Sequence, residues 1–106
     1  MNRHTVYVTP SALREIKVLP GHVRQRVKRA IDDLAGDPRP SNSKVLDVSR
    51  AETPPIVDWE VRRLRIDKWR VLYVITEAEN TIDVLAVRKR PPYDYGDLNQ
   101  LLQESD

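Results

Sequence analysis

The apolar positions of this chain change their period along its length. His4-Thr5-Val6-Tyr7-Val8 is a short β-rich run and predicts a first strand. Thr9-Pro10 reads as a helix start, with Thr9 at the N-cap and Pro10 at the first helical position, where a missing N–H does no harm. Leu13 and Ile16 form the apolar side of a short helix that stops near Leu19-Pro20-Gly21. A longer helix follows, with Val23, Val27, Ile31 and Leu34 spaced four, four and three apart, the repeat of a single helix face. Gly36 predicts its C-terminal stop, and Pro38 and Pro40 prevent continuation. The short break between the two helices predicts an antiparallel helical hairpin.

After the proline-rich stretch 37–56 the period becomes two. Lys44-Val45-Leu46 predicts a short strand, and longer strands are predicted over 56–66, 70–76 and 81–90. Asp67-Lys68 has the length of a two-residue hairpin loop, and Pro91-Pro92 ends the last strand. Leu98, Leu101 and Leu102 predict a short C-terminal helix within residues 93–103. The fold class is α+β: two N-terminal antiparallel helices packed on a roughly four-stranded antiparallel sheet, in one domain spanning 1–106. Val23, Val27, Ile31 and Leu34 should then be buried against Val71, Tyr73 and Ile75.

Composition changes this picture by subtraction. The chain has no cysteine, which excludes disulfides, thiolate metal sites and cysteine nucleophiles. Its two histidines, His4 and His22, form no local pairing of metal-ligand type, and its three glycines make no phosphate-binding loop. No metal and no cofactor is therefore expected. No run approaches the ~20 apolar residues of a membrane span, and the first residues lack a signal-peptide core, so the expected location is cytoplasmic.

Charge is more informative than its net value of +2. From Trp59 to Arg70 five basic residues, Arg62, Arg63, Arg65, Lys68 and Arg70, face only Glu60 and Asp67. Arg88-Lys89-Arg90 adds three more cations, whereas Tyr93 to Asp106 carries four acids and no Lys or Arg. Alternation places Trp59, Val61, Arg63 and Arg65 on one strand face. With a two-residue loop at Asp67-Lys68, Arg65 falls opposite Arg70, and Arg63 opposite Leu72. Like charges directly across a strand pair destabilise it, so Arg70→Ala is expected to leave stability unchanged or slightly raised. Arginine stems covering apolar sheet would explain such a patch. The alternative is an anion site, because guanidinium forks match phosphate oxygens and stay charged. Arg90 joins that face if the connection around Thr76–Asn80 has odd length, and leaves it if even. Tyr93 and Tyr95 follow, and a phenol beside a basic patch can stack on a base or pass a proton.

The helix ending Leu34-Ala35-Gly36-Asp37-Pro38-Arg39-Pro40, the hairpin Arg63-Leu64-Arg65-Ile66-Asp67-Lys68-Trp69-Arg70-Val71-Leu72-Tyr73 and the closing strand Ile82 to Arg90 together resemble the RelE/ParE superfamily of bacterial and archaeal toxins. The hairpin is the specific part, and the resemblance spans about residues 5–95. It implies a RelE-like fold and a toxin of a type II toxin–antitoxin system: an endoribonuclease that cuts messenger RNA in the ribosomal A site, giving a 2′,3′-cyclic phosphate. It also implies a neutralising antitoxin as hetero-oligomeric partner. By position, Arg70 matches the arginine at the scissile phosphate and Arg90 the one on the final strand. Arg63 and Arg65 stand where RelE proteins often carry lysine, which leaves the general base unassigned. Arg65, Arg70, Arg90, Tyr93 and Tyr95 are the implied catalytic set, with Arg63, Lys68, Arg88 and Lys89 as RNA contacts. Two other readings stay open: a ParE-type inhibitor of DNA gyrase, and an RNA-binding member of the fold without activity.

Overall fold

The computed structural model describes residues 3–46 and 59–89. Its elements run β1 (Thr5–Val8), α1 (Pro10–Lys17), α2 (Gly21–Asp33), β2 (Ser43–Val45), β3 (Trp59–Ile66), β4 (Trp69–Thr76) and β5 (Thr81–Lys89), in a five-stranded sheet ordered β1-β5-β4-β3-β2. The α+β class holds. The sheet differs from expectation in two ways, having five strands and one parallel pairing, β1 on β5. A parallel pair cannot be closed by a tight turn, and here both helices and the three other strands lie between the two. The C-terminal helix expected over residues 93–103 lies outside the described residues. No described helix is long and apolar enough to cross a membrane.

The helices cover one face of the sheet. Val27, Ile31 and Leu34 from the α2 segment are buried with Val71, Tyr73 and Ile75 of β4, and Val23 packs against the same cluster. On α1 the inward positions are Ala12 and Ile16, while Leu13 is exposed, so the buried face is turned one residue from the expected one. A small alanine at the i−4 position lets the helix approach the sheet closely, and Leu13 is left outside. The end of α2 also differs: neither described glycine, Gly21 or Gly36, has positive φ, and the chain leaves the helix through tight turns such as Leu34 N–H to Ile31 O, 3.1 Å. Pro38, which has no N–H to donate, prevents a further turn.

Two side chains tie loops to the sheet. The Tyr73 hydroxyl donates to Pro38 O at 2.7 Å, fixing the segment after α2. Burial pushes the Tyr73 phenol above its ordinary range, so it remains a neutral donor. Thr9 does two jobs at once. Its Oγ1 accepts from Ala12 N at 3.3 Å as the α1 N-cap and donates to Val84 O of β5 at 3.0 Å. Thr9 is only 5% exposed, so its loss orphans a helix N–H where water has little access. Thr9→Ala should lower stability by about 1–2 kcal/mol, measured by denaturant unfolding at constant m-value; a change within a few tenths would show that the cap and the strand contact are dispensable.

Candidate functional site

The β3–β4 hairpin turns through Asp67-Lys68, with Asp67 at φ 55°, a conformation that aspartate tolerates better than most residues. This fixes the register. Ile66 pairs with Trp69, Arg65 with Arg70 and Arg63 with Leu72, as the two-residue loop predicts. On the outer side of β3, β2 sets Lys44 opposite Arg63. The even spacing of Arg63 and Arg65 places both on the sheet face away from the helices, since Leu64 and Ile66 belong to the helix-side core.

The result is a cavity of about 360 Å³ lined by Ser41, Asn42, Lys44, Arg63, Arg65 and Arg70, within the ~300–1,000 Å³ range of small-ligand sites. The four charged side chains among its described lining residues are all cations. They are held differently. Arg70 is 8% exposed and its Nη1 donates to Asp67 O and to Trp69 O, both at 2.9 Å. It is anchored on the turn and pre-oriented. Arg65 and Lys44 are exposed, and among the described residues no hydrogen bond or ion pair engages either side chain. Further along the same face lies an apolar cluster of Val61, Leu72, Val74, Leu85 and Ala86, so the cations occupy one end of that face. Arg65 and Asn42 also line a second groove of about 580 Å³, running to His22, Arg26 and Arg29 of α2. That groove mixes charges, with Asp33 and Asp67 among its lining and Asp67 3.9 Å from Arg26.

The other sequence-predicted residues fall elsewhere. Leu85 is unpaired in a bulge between the Leu72–Ala86 and Tyr73–Val84 pairs, and beyond it Arg88 stands opposite Arg70. Yet the Arg88 guanidinium meets Glu15 of α1, Nε to Oε2 3.2 Å, while Glu15 Oε1 accepts from Val87 N at 3.0 Å. One carboxylate thus caps the part of the β5 edge that short β1 leaves open. Arg88 and Lys89 line a different groove with Glu15, Val18 and Trp69. Lys68 is exposed at the hairpin tip. Arg90, Tyr93 and Tyr95 lie outside the described residues. Among the described residues no three His, Cys, Asp or Glu side chains gather as metal ligands.

Sequence reasoning missed Lys44, Ser41 and Asn42. The only signal was Lys44 at the head of a predicted short strand, and nothing local said which strand it would join. A network on the helix side makes that junction firm. Arg62 donates to Ser43 Oγ at 3.0 Å from Nη2 and to Ser43 O at 3.3 Å, and pairs with Glu60 at 2.7 Å. Glu60 also pairs with Arg39 at 3.1 Å, and Arg39 with Glu77 at 3.0 Å. Arg39 first, and then Arg62, holds the Glu60 carboxyl below its ordinary value by donating hydrogen bonds to the charged form. Asn42 adds a clasp, Nδ2 to Arg65 O at 2.8 Å.

A sequence model of the ParE toxin of type II toxin–antitoxin systems (parDE) matches residues 6–91. Solved structures agree in fold. A chain of the archaeal RelE–RelB complex from Pyrococcus horikoshii superposes with a TM-score of 0.72 at 19% identity, covering 86% of this chain and 99% of that one. In the toxin–antitoxin complex RelBE2 from Mycobacterium tuberculosis, the values are 0.67, 26%, 83% and 99%. For the isolated E. coli RelE toxin they are 0.59, 19%, 92% and 96%. No curated protein matches in sequence.

Two outcomes follow from these contacts. Arg70→Ala removes the donor for two carbonyls at the turn, which reverses the stability gain expected from relieved repulsion. It should cost about 1–2 kcal/mol in denaturant unfolding, and an equal or raised midpoint would show the repulsion to dominate. Glu60 has a folded pKa below its unfolded one, so its stabilisation is complete above the ordinary carboxylate range and is lost as pH falls through the folded value. Glu60→Gln should therefore flatten the acid side of the stability curve; a slope equal to that of the wild type between about pH 5 and 2 would exclude this role.

Proposed function

The chain belongs to the ParE toxin family of type II toxin–antitoxin systems, within the RelE/ParE superfamily, and from that premise we propose that it is an endoribonuclease that cuts messenger RNA in the ribosomal A site without a metal. One observation carries the proposal: the cavity in which Lys44, Arg63, Arg65 and Arg70 converge with no acid among its described lining residues. Such a site suits a phosphodiester whose charge grows during reaction. The ribose 2′-oxygen attacks the adjacent phosphorus, the bond from phosphorus to the 5′-oxygen breaks, and a 2′,3′-cyclic phosphate and a 5′-hydroxyl result. Arg70, already oriented by the turn, and Arg65, free to reach the phosphate, stabilise the phosphorane in this scheme. Fixed donors aimed at developing charge are worth about 10²–10³-fold each. Arg90, Tyr93 and Tyr95 remain proposed members of the catalytic set, with Arg63, Lys68, Arg88 and Lys89 as proposed RNA contacts.

A second reading is inhibition of DNA gyrase without RNA cleavage, which the match to the ParE model favours. Either reading includes a neutralising antitoxin as partner, in keeping with the RelE–RelB and RelBE2 complexes. A basic face that attracts any polyanion suits a partner that folds onto it and shields it.

Mapping RNA 5′ ends after adding the purified chain to a translation reaction separates the readings. Discrete cuts within translated codons are expected. Intact message together with trapped gyrase–DNA complexes would replace the ribonuclease reading with the gyrase one. Arg65→Ala is the cleaner site variant, because Arg65 is exposed and its side chain has no described partner. Its cutting rate should fall about 100-fold or more with an unchanged or slightly raised melting temperature; undiminished cutting would remove Arg65 from the site.

A further inference from the structure

We propose that Lys44 is the general acid of this reaction, the donor of the proton that the departing 5′-oxygen takes up; the proposal rests on the ribonuclease reading. An alkoxide is a poor leaving group, and a positioned acid contributes ~10²–10⁴-fold to a step of this kind. The described lining residues of the cavity offer few candidates. Arg63, Arg65 and Arg70 hold charge but do not give up a proton in proteins. Ser41 and Asn42 are neutral, and Asn42 is committed through Nδ2 to Arg65 O. Lys44 is the one cation among the described lining residues whose side chain can release a proton.

Its position supports the role. Lys44 sits on β2 opposite Arg63, which places it on the same sheet face as Arg65 and Arg70, at the outer wall of the cavity. Its side chain is exposed and has no described partner, so the ammonium is free to turn toward a bound phosphate. The backbone beneath it is held, because Arg62 grips Ser43 through both Oγ and the carbonyl. A phosphate between Arg70 on one wall and Lys44 on the other would have charge stabilisation from the inner side and a proton donor on the outer. In the step itself, the 2′-oxygen–phosphorus bond forms as its proton passes to water. The bond from phosphorus to the 5′-oxygen breaks, that oxygen takes the proton from Nζ, and solvent reprotonates the amine.

Lys44→Arg tests this directly, since it keeps the charge and removes the transferable proton. Two short messages are programmed into ribosomes, one natural and one with sulfur replacing the 5′-oxygen at the cut site. A thiolate leaves without protonation. Lys44→Arg should cut the natural message about 100-fold more slowly than wild type, yet cut the sulfur message within about threefold of it. Arg65→Ala, which removes charge stabilisation, should slow both. Equal losses by Lys44→Arg on both messages, or no loss on the natural one, would overturn the role of Lys44 while leaving the ribonuclease reading intact. Failure of the wild-type chain to cut either message would sink that reading, and the role of Lys44 with it.

Discussion

A cation directly across a strand pair from another weakens that pair by a few tenths to about 1 kcal/mol, and this sheet accepts the arrangement three times. Lys44 faces Arg63, Arg65 faces Arg70, and Arg70 faces Arg88. The rest of the structure holds Lys44, Arg63, Arg65 and Arg70 at one cavity while Arg88 is drawn to Glu15. The opposite face of β3, β4 and β5 carries Leu64, Ile66, Val71, Tyr73, Ile75, Ile82, Val84 and Val87, buried under α1 and α2. Burying each large apolar side chain contributes ~1.5–3 kcal/mol. The helix-covered core therefore outweighs the repulsion on the other side of the same strands.

Local contacts decide how each cation is used. Arg88 is drawn off by Glu15, which also satisfies the Val87 N–H at the open β5 edge. Arg70 folds back onto the turn carbonyls, so part of its hydrogen-bonding capacity serves the hairpin and its orientation is settled before any ligand arrives. Arg65 and Lys44 are left exposed. With Arg70 anchored, and Arg65 and Lys44 without a partner among the described residues, the site is partly preorganised and partly adaptable. That division suits a phosphodiester whose geometry changes during reaction.

The ion network of Arg39, Glu60, Arg62 and Glu77 lies on the other side of the sheet and touches no cavity residue directly. Its consequence for the site is positional. Arg62 joins β2 to β3 through Ser43, and with the Asn42 clasp to Arg65 O it helps set the register of a three-residue edge strand. The alignment of Lys44 with Arg63 thus depends in part on side chains that face away from it.

The order of amino acids by itself determines the local part of this protein. The two helices follow from a 3.6-residue repeat of apolar residues, because one side of a helix must be buried. The hairpin register follows from a two-residue gap between alternating strands, because period-two alternation leaves no intermediate setting. Thr9 as a cap, the Arg65–Arg70 pair and the Arg63–Leu72 pair are legible for the same reason: each depends only on neighbours in the chain. The remainder depends on distant partners. Which way Arg88 turns is decided by the Leu85 bulge and by Glu15, some seventy residues earlier in the chain. That Arg70 is buried follows from the carbonyls of the turn, not from its place in the alternation. Lys44 joins the cavity only when β2 finds β3, a pairing supported by Arg62 with Ser43 on the opposite face and by the Asn42 clasp to Arg65 O. Periodicity specifies which side of an element is buried; only packing specifies which side chains meet across elements.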